Sequence, residues 1–167
     1  MERRVSFLRL CLLLCFTFTS FNVTSEVITS APSPIEKLSP ELRQLLSQEM
    51  MSLQTGMAAI IPAYVSGDWH EISHIALKMK HSYILKQALR QSQKHELHSN
   101  LPPSFLKLDQ QFHYQAGMLS HAADMKKPEL VGFYFSELTR SCVACHSQFA
   151  QHRFPALKSK EDTDHQH

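Results

Sequence analysis

No stretch of this chain alternates apolar and polar residues convincingly in the manner of a strand, which argues against a sheet as the organising element. Glycine is scarce, with four in 167 residues, and no phosphate-cradling loop is built from them. No nucleophile–base arrangement and no paired-carboxylate pattern stands out, so the chain reads as something other than an enzyme. No internal repeat and no second domain are marked. Cysteine is nearly missing from the body of the chain. Of the four, Cys11 and Cys15 fall within the first 25 residues, which leaves Cys142 and Cys145. An excess of one charge sign is missing as well. The formal net charge is +2, but residues 1–25 hold three Arg and one Glu, and without them fourteen basic side chains balance fourteen acidic ones. That balance gives no reason to expect nucleic acid or an anionic membrane as a partner.

What is present begins with an export signal. Glu2-Arg3-Arg4 and Arg9 form a charged start, Leu10 to Phe18 is an almost unbroken apolar run, and Val23-Thr24-Ser25 suits cleavage. Residues 1–25 therefore read as a secretory signal peptide that is removed, and the protein as periplasmic. The competing reading is an uncleaved anchor over Val5 to Val23, close to the ~20 apolar residues that span a bilayer. Only then would the membrane be a partner. Residues 26–38, with Pro32 and Pro34, read as an extended leader. Residues 39–155 carry enough apolar content for one core, and residues 156–167 read as a disordered polar tail.

Four helices are expected between them. The first starts at Ser39-Pro40-Glu41 and stops at Gly67. Its apolar stripe is Leu42, Leu46, Met50, Leu53, Met57, Ile60 and Tyr64. The second starts at Asp68, with Glu71 three residues on. Ile72, Ile75, Ala76, Met79 and Tyr83 line it, and it fades near Arg90. Gln91 to Asn100 reads as a polar connection, and Leu101-Pro102-Pro103 as an extended turn. The third runs from about Ser104 to Asp124, with Phe105, Leu108, Phe112, Ala116, Leu119 and Ala123 inward. Pro128 opens the fourth, where Tyr134, Leu138, Cys142, Cys145 and Phe149 share a face, and Pro155 closes it. Trp69 is expected to pack the turn between the first two helices. The fold class is all-α, an up-down-up-down four-helix bundle of the kind that holds a cofactor between facing helices.

The last helix carries the chemistry. Cys142, Cys145 and His146 spell C-x-x-C-H, the spacing of covalent haem c attachment. Two thiols three residues apart share one helix face, so both can form thioethers with one porphyrin. The adjoining imidazole can then reach its iron. In an oxidising compartment a lone cysteine pair would otherwise close as a disulfide. The competing reading is such a thiol–disulfide pair with an incidental His, although no alternating strand–helix pattern surrounds Cys142.

With its C-x-x-C-H near the end of a fourth helix and the aromatic Phe149 three residues later, residues 39–154 resemble a class II cytochrome c. This is the group of cytochrome c-prime and its six-coordinate relatives. Ala150 stands where that family often has a basic residue, and Arg43-Gln44 stands further before Met50 than is usual there. The resemblance implies one covalently attached haem c near the C-terminal end of the last helix, bound through Cys142 and Cys145. It implies His146 as one iron ligand, periplasmic redox proteins as partners, and a homodimer through the first two helices. It also places the second iron ligand on the first helix, where Met50, Met51 and Met57 are candidates. Met50 lies on the core seam, Met51 on the neighbouring, less apolar line, and Met57 two turns further on. Met50 as ligand implies electron transfer. An iron left open implies binding of a gas such as nitric oxide or carbon monoxide. A second histidine ligand would have to be His74, His113 or His121, each expected as a solvated or core-edge side chain. His165 and His167 in the tail could take up a metal adventitiously.

Overall fold

A computed structural model describes residues 33–82 and 89–157, which fall in one compact unit spanning 31–167. Residues 1–32, Tyr83 and the tail from Lys158, with His165 and His167, lie outside the described residues. The expectations about the signal peptide and its cleavage therefore stand on the sequence.

The first turn is a short 3-10 helix, Pro34–Lys37. The Ser33 amide donates to Glu36 Oε2 at 2.6 Å, and Leu38 just after it is buried. The end of the expected extended leader is thus folded onto the core. Five α-helices follow among the described residues: α1 Pro40–Ser66, α2 Trp69–His81, α3 Gln91–Asn100, α4 Pro103–Asp124 and α5 Pro128–Phe149. The described residues are all-helical or irregular, with no strand.

Local chemistry sets most of the boundaries. Ser39 Oγ accepts from the Leu42 amide at 3.4 Å, Pro40 opens α1, and Gly67 ends it at φ 71°. That conformation costs a side-chain-bearing residue and suits glycine. Asp68 Oδ1 accepts from the Glu71 amide at 3.0 Å and starts α2 only two residues after α1 ends. Trp69 packs against the core and meets Tyr64 edge-on at 6.0 Å, holding this turn.

Two boundaries differ from the pattern. Helix α2 ends at His81 rather than near Arg90, where the Ser82 amide and hydroxyl both donate to the Met79 carbonyl. Helix α5 ends at Phe149. Ala150 leaves the helical region at φ −128°, a turn follows, and Pro155–Leu157 form a second 3-10 helix. Ala156 and Leu157, expected at the start of the polar tail, thus lie in this 3-10 helix.

Helix α3 is the larger correction, because Gln91 to Asn100 was expected as a connection. Its ten residues carry no apolar stripe, and Leu97 is its buried side chain. Tertiary bonds hold it instead. Glu96 accepts from the Ser39 amide, Arg90 pairs with Glu41, and Leu97 joins Leu38, Leu42, Leu101 and Phe105 in the core.

Helix α4 packs on both α2 and α5, and α1 packs on α2. Their inward faces form two apolar clusters. One contains Leu53, Ile72, Phe112, Leu119 and Leu138. The other contains Leu42, Leu46, Leu97, Phe105 and Phe149. No helix among the described residues is long and apolar enough to cross a membrane.

Candidate functional site

Along α1, α4 and α5 the core passes from one cluster to the other at a recognisable level. On α1 the change falls between Leu46 and Leu53, on α4 between Phe105 and Phe112, and on α5 between Leu138 and Phe149. The residues at that level are Glu49 and Met50, Asp109, and Cys142 and Cys145. His113 adjoins them on α4. Helical spacing brings both cysteines to the inward side of α5. Cys142 packs against the first cluster and Cys145 against the second, each half-buried as a free thiol. Next to them, Ser141 Oγ donates to Gln115 Oε1 of α4 at 2.7 Å.

Both thiols are held in their neutral form. Burial raises the Cys142 pKa. Burial, the Asp109 carboxylate and Cys142 push Cys145 up to about 11. His146 is also kept neutral, because burial and the Arg153 charge lower its pKa below the usual 6.5. Its ring lies parallel to that of Phe154, at 4.3 Å between centroids and 7° between planes.

The three methionines separate clearly. Met50 is half-buried and packs against both clusters, the same two that Cys142 and Cys145 adjoin. Met51 is 59 % exposed and turns away from them. Met57 packs against the first cluster alone.

The histidines hold a surprise. His74 and His121 are exposed, as expected. His113 is instead buried among carboxylates. Its Nδ1–H donates to the Met79 carbonyl at 2.8 Å. Its Nε2 lies 3.5 Å from Asp109 Oδ1 and 3.8 Å from Glu49 Oε1. Burial pulls the His113 pKa down, but Asp109, the Met79 carbonyl and Glu49 outweigh it, and the net shift is upward. Three ionisable groups in an apolar interior are costly unless they neutralise one another. The signal was legible in part, since Asp109 and His113 are four apart on one helix. Their meeting with Glu49 of α1 depends on the packing. Among the described residues no group of three or more His, Cys, Asp and Glu is placed to hold a metal ion.

Comparison with protein-family models, with curated proteins and with solved structures gives no match for this chain.

Proposed function

We propose that the protein is an exported c-type haemoprotein that carries electrons. One observation supports this above all. The C-x-x-C-H cysteines lie on the inward side of the last long helix, at the level where Met50 packs against the same two apolar clusters. One haem c would be held by thioethers from Cys142 and Cys145, with His146 and Met50 as its iron ligands. The donor set fits that group in kind: two un-ionised thiols, a neutral imidazole and a soft thioether. When bound, the iron porphyrin supplies a one-electron couple.

The chain's own residues do the rest. His146 offers a nitrogen lone pair, because its neutral form is favoured. Met50 would offer a soft sulfur, which as an iron ligand would raise the potential and compete with a gas for the same position. The two clusters keep water from the interior. In this reading the helices run up-down-up-down, the haem sits near the C-terminal end of α5, and residues 1–25 direct the chain to the periplasm. There it would meet redox proteins. The thiol–disulfide reading fits less well, since a reactive cysteine needs a lowered pKa and both thiols here are shifted the other way.

The test is the mature protein from a periplasm competent in haem attachment. It should give a haem-stained band on a denaturing gel and a low-spin spectrum with a sulfur-to-iron charge-transfer band when oxidised. Met50→Ala should abolish that band and admit carbon monoxide, while Met51→Ala should leave it in place. No haem-stained band would overturn the proposal. A high-spin wild type that binds carbon monoxide readily would replace electron transfer with gas binding.

A further inference from the structure

After Phe149 the chain folds back on the end of α5. The amides of Arg153 and Phe154 both donate to the Ala150 carbonyl, at 2.9 and 3.0 Å. Gln151 Nε2 donates to the Ser147 carbonyl at 2.6 Å, and the Leu157 amide donates to the Phe154 carbonyl at 3.0 Å. This turn lays the Phe154 ring flat on the imidazole of His146. Phe154 belongs to neither core cluster and remains 39 % exposed, so the turn is not explained by burial of its ring. Rotation about the last torsion of a histidine is broad and weakly restrained. A parallel neighbour at 4.3 Å removes that freedom, because turning the imidazole would drive its edge into the phenyl face.

We propose that Phe154 is a positioning residue that sets the plane of the His146 imidazole and thereby its coordination to iron. The inference rests on the haem reading above and adds to it a residue outside the C-x-x-C-H motif. Groups that orient a ligand's ring tune the metal as well as its affinity. The orientation of an axial imidazole governs the anisotropy of low-spin ferric iron, so electron paramagnetic resonance reads it directly.

The experiment compares oxidised holoproteins of the wild type, Phe154→Leu, Phe154→Tyr and Phe154→Trp. The wild type should give a single narrow set of g-values. Phe154→Leu should shift and broaden that set, or split it, with little change in thermal midpoint. The Tyr and Trp variants, which keep a flat ring, should restore the wild-type set. A haem-loaded Phe154→Leu variant with unchanged g-values overturns the positioning role and leaves the haem reading intact. So does a Tyr variant shifted as far as Leu. A wild type without haem overturns the reading itself and the positioning role with it.

Discussion

Replacing His113 by Leu removes the cation that Glu49 and Asp109 share inside the bundle. At 3.5 and 3.8 Å, each pair is worth about 4–5 kcal/mol at an effective dielectric of ~20. Withdrawing each ion from water costs several kcal/mol in return. The intact cluster is therefore close to neutral for stability. Breaking it is not, because two buried carboxylates stay behind, and a loss of about 3–5 kcal/mol is expected. The described domain has roughly 120 residues. With ~2.1 cal/mol/K of unfolding entropy per residue, that loss lowers the melting temperature by about 12–20 °C. Circular dichroism melts at pH 5.5 and 8.5 add a second readout. The His113 pKa is raised on folding above the ordinary 6.5, so its contribution is complete below about pH 6.5 and is lost as pH rises through the folded value. The wild type should therefore lose stability on the alkaline side, and His113→Leu should lack that component. Adding Glu49→Gln and Asp109→Asn to His113→Leu should recover much of the loss. A loss below about 1 kcal/mol in the single variant, or an unchanged pH slope, would refute the account of the cluster.

Leu119 is completely buried in the first cluster, so Leu119→Ala should cost about 2–5 kcal/mol in urea denaturation; a cost under ~1 kcal/mol would mean that the helices do not pack as described. Burial, the Asp109 carboxylate and Cys142 push the Cys145 thiol up to about 11 from an ordinary 9.0. Folded chain carrying free thiols should therefore react with iodoacetamide at pH 8 about a hundredfold more slowly at Cys145 than unfolded chain. Equal rates would revive the thiol–disulfide reading.

The periodic stripes were readable in one dimension because helical burial repeats every three to four residues. Leu42, Leu46, Leu53 and Ile60 on α1, and Phe105, Phe112, Ala116 and Leu119 on α4, are all inside as their spacing required. Caps were readable for the same local reason: Ser39, Asp68 and Gly67 act on amides and carbonyls within a few residues of themselves. The C-x-x-C-H motif and the face it occupies belong to this class as well. Helix α3 does not, because its ten largely polar residues gain order from Ser39, Glu41 and Leu38, at distant positions in the chain. Nor does the burial of His113, whose environment joins Glu49 of α1, the Met79 carbonyl of α2 and Asp109 of its own helix. Periodicity already ranked Met50 above Met51, but the contact of Met50 with both core clusters required the helices to be assembled. The sequence by itself thus determined where the four long helices begin and which face of each is apolar, since those depend on neighbours within one or two turns. Only the tertiary structure decided which polar groups are enclosed, and that Phe154 lies on His146, because those contacts exist only once separate segments meet.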